Sequence, residues 1–90
     1  MVEKVRVLVV DDSAFFRKRI REELGGSGDI EIVGEAANGR EAVRAVSEFA
    51  PDLMFLDIKM PGWNGFDVIK KIQAEQLPMV IFCTAFERYA

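Results

Sequence analysis

The chain has 90 residues, half of them apolar, with 12 basic and 15 acidic side chains, no histidine and a net charge of −3. That length suits a single domain over residues 1–90 with one core, burying only roughly 60 to 65% of the surface its unfolded form exposes. Acids and bases are interspersed without a basic run, which excludes nucleic acid and anionic membranes as natural partners of this segment.

The first residues, "MVEKVRVLVVDD", hold an apolar run too short and too soon ended by acids for a signal peptide, and nothing later approaches an 18-residue apolar span. A cytoplasmic protein is expected. "VRVLVV" (5–10) is β-branched and nearly continuous, as in a strand covered on both faces. It ends at Asp11 and Asp12, and Ser13 can cap a helix whose Phe16, Ile20 and Leu24 share one face. "GGSG" (25–28) breaks that helix, and "IEIVGEA" (30–36) is a second strand. After the turn at 38–39, "REAVRAVSEFA" (40–50) is a helix with Ala42, Val43, Val46 and Phe49 or Ala50 inward, stopped by Pro51. "LMFL" (53–56) is a third strand, "KMPGWNG" (59–65) a Pro/Gly loop, and "FDVIKKIQAE" (66–75) a helix with Phe66, Ile69 and Ile72 as its stripe. "MVIFC" (79–83) is a fourth strand, followed by Thr84 and "FERYA", the possible start of another helix. The one cysteine, Cys83, excludes an internal disulfide and reads as a small buried hydrophobe in a reducing compartment. Strand alternating with helix through short links predicts an α/β fold with a doubly wound parallel sheet and right-handed crossovers.

In an open parallel sheet, ligands bind beyond the carboxyl ends of the strands, where the strand order reverses. Asp11 and Asp12 close the first strand, Asp57 follows the third and Thr84 the fourth. If the first and third strands are neighbours, three carboxylates converge. Two of them about 4 Å apart repel by roughly 4 kcal/mol at an effective dielectric near 20, a cost that a hard divalent cation removes. Magnesium takes oxygen ligands from one or two carboxylates plus phosphate oxygens. The site therefore suits Mg²⁺ and a phosphoryl group, with Asp57 as candidate nucleophile, since aspartyl phosphate is an established covalent intermediate.

The strand ends "VVDDS", "FLD" followed by "MPGWNG", and "CTA" together resemble the receiver domain of two-component response regulators, in the family's order and spacing over essentially the whole chain. The resemblance implies a flavodoxin-like sheet with strand order 2-1-3-4 for the four strands present. It implies Asp57 as phosphoacceptor, Asp12 as a direct Mg²⁺ ligand, Asp11 as a ligand through water or a shaper of the site, and the backbone carbonyl of Lys59 as a further ligand. Thr84 becomes the switch hydroxyl, with small Ala85 beside it, and Trp63, Phe86 and Tyr89 are candidate partner contacts. The phosphoryl donor would be a histidine on a sensor kinase or phosphotransfer protein. "VRVLVVDDSAFFRKRI" is similar to receivers fused to chemotaxis methylesterases, and "MVIFCTAFERYA" to receivers joined to LytTR-type DNA-binding domains.

The family's fifth strand, with the lysine that pairs with the phosphoryl group, and its last helices have no counterpart in these 90 residues. "MVIFC" is then expected as an unpaired apolar edge through which chains could associate into a strand-paired or swapped homo-oligomer. The alternative to a signalling receiver is thus a fragment or assembly that does not switch. A phosphatase using aspartyl phosphate is disfavoured, because Lys59 stands two residues after Asp57, where that chemistry wants a second acid, so no enzyme is expected. "GEAANGRE" (34–41) has glycines near P-loop spacing, but Arg40 and Glu41 stand where Lys and Ser or Thr are required, and nucleotide binding there is rejected.

Overall fold

Four parallel strands and three helices alternate along residues 3–83, the part of the chain that the computed structural model describes. In chain order they are β1 (Val5–Val10), α1 (Ala14–Gly25), β2 (Ile30–Ala36), α2 (Gly39–Phe49), β3 (Leu53–Asp57), α3 (Gly65–Lys71), a 3₁₀ turn (Ala74–Gln76) and β4 (Met79–Cys83). The strands lie in the order β2-β1-β3-β4, as expected. Val10 stands level with Ala36 on one side and Leu56 on the other, so the ends of three strands are brought to one edge.

Strand order reverses at β1, and right-handed crossovers then put α1 on one face of the sheet and α2 and α3 on the other. The main core fills the second face. Leu8, Val10, Ala36, Met54 and Leu56 of the sheet pack there against Ala42, Ala45 and Val46 of α2 and Val68 of α3. On the α1 face Val7 and Val9 are fully buried, yet α1 itself has no fully buried residue. Phe16, Ile20 and Leu24 do turn inward, to half-burial. Farther along that face Met79 is 72% and Ile81 43% exposed, since no described element covers them. The outer edge of β4 has no partner strand among the described residues.

Helix boundaries depart from expectation in ways the caps explain. Helix α2 begins one residue early, with the Asn38 side chain accepting from the Glu41 N–H at 2.9 Å. Phe49 packs on the core while Ala50 is exposed, serving as a left-handed C-cap at φ 44°. Helix α3 is shorter than expected, and of its expected stripe Ile69 and Ile72 pack on the core while Phe66 does not. Asn64 caps it through a reciprocal box with Asp67, at 2.9 and 3.0 Å, which starts the helix at Gly65. That phase points Gly65, Val68 and the following Ile72 inward. Phe66 is accordingly 52% exposed rather than a core residue, and leans on Phe82 of β4 with ring centroids 5.2 Å apart.

Candidate functional site

Asp11, Asp12 and Asp57 meet at the carboxyl edge of the sheet, each offering an oxygen within 4.8 Å of the others'. Adjacency of β1 and β3 does this, and the acids differ in setting. Asp57 is the last residue of β3 and fully buried, Asp11 is 2% exposed, and Asp12 faces solvent. The Asp11 carboxylate accepts from the Ser13 N–H at 2.8 Å, while Ser13 Oγ caps α1 by accepting from the Phe16 N–H at 3.3 Å. One short turn thus holds the acid pair and starts the helix.

On the β3 side, Asp57 Oδ1 accepts from the Lys59 N–H at 3.1 Å, which fixes the carboxylate against the loop that follows. Lys59 is exposed, and its amide makes the contact with Asp57. The loop is tied back by the Gly65 N–H to the Ile58 carbonyl at 2.9 Å, and the Ile58 N–H reaches the Cys83 carbonyl at 3.2 Å. Its two glycines act differently. Gly62 adopts φ 78°, a left-handed turn that other residues resist. Gly65 is required for contact: a Cβ there would meet the Asp57 carbonyl oxygen at 2.9 Å and the Ile58 Cα at 3.1 Å. The start of α3 therefore presses on the end of β3 directly behind the acid.

Two residues without a sequence signal complete the surroundings. Arg17 donates from Nη1 to the Asp11 carbonyl at 2.6 Å, and its Nε pairs with Glu35 at 3.3 Å. Glu35 is also paired with Arg21. A basic residue on a helix is ordinarily a solvated one. Only the placement of α1 over β1 and β2 carries Arg17 to the Asp11 corner. Trp63 lies beneath Arg40 and Lys71. Thr84, Ala85, Phe86 and Tyr89, expected as switch and partner residues, lie outside the described residues.

The description of the response regulator receiver domain matches residues 7–90. The chain belongs to that family. As a receiver it is 45% identical over 86 residues to the transcriptional regulatory protein BtsR of Salmonella typhi, covering 96% of this chain and 36% of that protein. This receiver segment therefore spans about a third of the length of that curated relative. Among solved receivers, the response regulator domain of Thermotoga maritima CheB superposes with a TM-score of 0.85 at 39% identity, over 92% of this chain and 62% of that one. A CheX–CheY–BeF₃–Mg²⁺ complex from Borrelia burgdorferi gives a TM-score of 0.77 at 31% identity, over 92% of this receiver and 63% of that chain.

Proposed function

We propose that Asp57 accepts a phosphoryl group from a phosphohistidine on a sensor kinase or phosphotransfer protein in the cytoplasm, and that the new charge resets a partner-binding surface. The observation that carries this reading is a fully buried carboxylate placed within 4.8 Å of two others at the reversal point of the sheet. Burying like charges together costs stability unless the site exists to receive a countercharge.

The donor set fits magnesium: three carboxylates, hard oxygen ligands, converge from two strands. Asp11, Asp12 and Asp57, with the Lys59 carbonyl, would hold the ion, which when bound neutralises the acids and the incoming phosphoryl oxygens. The similar Borrelia complex contains Mg²⁺ together with BeF₃, in keeping with that assignment. In the transfer, a carboxylate oxygen of Asp57 forms the new P–O bond as the P–N bond of the phosphohistidine breaks, and the imidazole nitrogen keeps the electron pair. The Lys59 N–H holds the Asp57 carboxylate in orientation, and Arg17 holds the Asp11 corner against β2. Thr84 follows directly on Cys83, whose carbonyl is bonded to the Ile58 N–H, and it supplies the switch hydroxyl beside Ala85. Phe86 and Tyr89 then carry the change to a partner. The chain acts as an acceptor and not as an enzyme, since the position two after Asp57 is Lys59 rather than an acid.

The test is incubation with acetyl phosphate and Mg²⁺, followed by intact mass. A gain of one phosphoryl group, dependent on Mg²⁺ and absent in Asp57→Asn, is expected; modification that persists in the variant would refute the assignment. A second reading, pairing of two chains through the outer edge of β4, is favoured by exposed Met79 and Ile81. A sedimentation profile of a compact monomer at micromolar concentration counts against it.

A further inference from the structure

Trp63 sits in the loop between β3 and α3, half-buried against the core, with two cations over its ring. The Arg40 guanidinium carbon is 4.5 Å from the ring centroid and the Lys71 Nζ 4.8 Å. Arg40 comes from the first turn of α2 and Lys71 from the last residue of α3. Two helices thus deliver like charges to one indole, closer together than the roughly 10 Å Debye length at 0.1 M salt. Cation–π attraction holds each in place but leaves both charges uncompensated.

Neither cation has a carboxylate partner: the ion pairs among the described residues join Arg17, Arg19 and Arg21 to Glu23 and Glu35. Of the acids nearest in sequence, Glu41 and Asp67 are engaged in helix caps, and Glu75, in the turn after α3, makes no ion pair with Lys71. Glu41 accepts from the Ala37 N–H at 2.9 Å, and Asp67 accepts from the Asn64 N–H at 3.0 Å. In a chain of net charge −3 this is a local positive spot. Beside it opens a cleft of about 250 Å³, lined by Asn38, Gly39, Arg40, Pro61, Gly62 and Trp63.

The backbone that carries the indole is closely packed. A Cβ on Gly39 would come within 2.6 Å of the Trp63 Cβ, so the start of α2 lies against the loop backbone and holds it. An aromatic side chain on a held backbone, beside two cations without carboxylate partners, offers contact area at low entropic cost, the combination that marks binding anchors.

We propose that the Arg40–Trp63–Lys71 cluster docks an acidic peptide segment of a partner protein. Its carboxylates meet the two cations, and an apolar side chain enters the cleft beside the indole. None of the three residues belongs to the acid cluster, and the docking is tested without phosphoryl transfer. Carboxylates are favoured over a lone small anion because Pro61 and Trp63 give the cleft apolar walls that such an ion cannot use.

The test is fluorescence anisotropy of a short labelled peptide alternating Glu with Leu, titrated with the 90-residue chain, beside the same peptide with Gln for Glu. Saturable binding of the Glu peptide is expected, with little from the Gln peptide. Arg40→Glu combined with Lys71→Glu should weaken it roughly tenfold or more, added salt should weaken it, and Trp63→Phe should cost several-fold. Circular dichroism checks that the double variant folds; Lys71→Glu alone, at an exposed helix end, serves if it does not. Equal binding of the Gln peptide, or undiminished binding to the charge-reversed chain, overturns the proposal. Displacement by inorganic phosphate at matched charge would make this a small-anion site, and a peptide-free dimer abolished by the charge reversal would assign the cluster to a second copy; either result also overturns it.

Discussion

Asp57→Asn should make the metal-free protein more stable while removing its response to magnesium. At 4.8 Å, the upper limit on the separation of the oxygens these acids offer one another, and an effective dielectric near 20, a pair of ionised carboxylates repels by about 3.5 kcal/mol. The Asp11–Asp57 pair is buried and feels most of that. Pairs with exposed Asp12 are screened by water and contribute little. Backbone donors offset part of the repulsion, the Ser13 N–H on Asp11 and the Lys59 N–H on Asp57, and the second survives in an Asn side chain. A net gain of about 1–2 kcal/mol follows for the variant in chelator-treated buffer. Urea unfolding followed by circular dichroism reads it as a midpoint raised by about 1 M for a small domain. In the parent chain, Mg²⁺ at tenfold over its dissociation constant should recover about 1.4 kcal/mol, and the variant should recover little. A variant no more stable than the parent without metal, or one equally stabilised by Mg²⁺, would refute the claim that convergent charge defines this site.

Gly65→Ala should destabilise the fold by about 1–3 kcal/mol and weaken Mg²⁺ binding, since its Cβ would press on the backbone of Asp57 and Ile58; unfolding midpoints with a metal titration check both. Arg17→Met removes the bond to the Asp11 carbonyl, and should cost about 1–2 kcal/mol and lower Mg²⁺ affinity, with Glu35→Gln costing stability but affecting the metal less. Ala50→Gly should stabilise by about 0.5–1 kcal/mol, because Ala50 holds φ 44° at the C-cap of α2, and a lower midpoint would contradict that reading of the cap. Val68→Ala, at a fully buried position, should cost about 1–3 kcal/mol, whereas Phe66→Ala at the exposed neighbour should cost less.

Those contrasts mark where local pattern was and was not enough. The first and third strands and the Asp11, Asp12 and Asp57 cluster were legible because short apolar runs ending in acids, "VRVLVV" and "LMFL", state both the strand and its carboxyl end. The inward face of α3 was legible only in part: Ile69 and Ile72 pack on the core as expected, but the cap at Asn64 also brings in Val68, which the expected stripe left out. Starting from Asn64 rather than Phe66 rotates Val68 inward and Phe66 out. Gly65 counts in the sequence only as part of the Pro/Gly loop, but its role is close approach to β3, a contact between segments that no single stretch of sequence records. Arg17 and Glu35 escaped for the same reason: their partnership joins α1 to β2.

The central position of β1, bonded to strands along both edges, sets an order of opening. Releasing β1 means breaking two ladders and the main core at once, whereas α1, with no fully buried residue, can detach at small cost. Amide exchange would therefore pass through α1 long before it reaches Val7–Val10 or the centre of β3. Asp57 ends one of these slow strands and Asp11 directly follows the other, so the acids belong to the part of the molecule that opens last. Their spacing persists through excursions that free the helix, and with it the Arg17 brace.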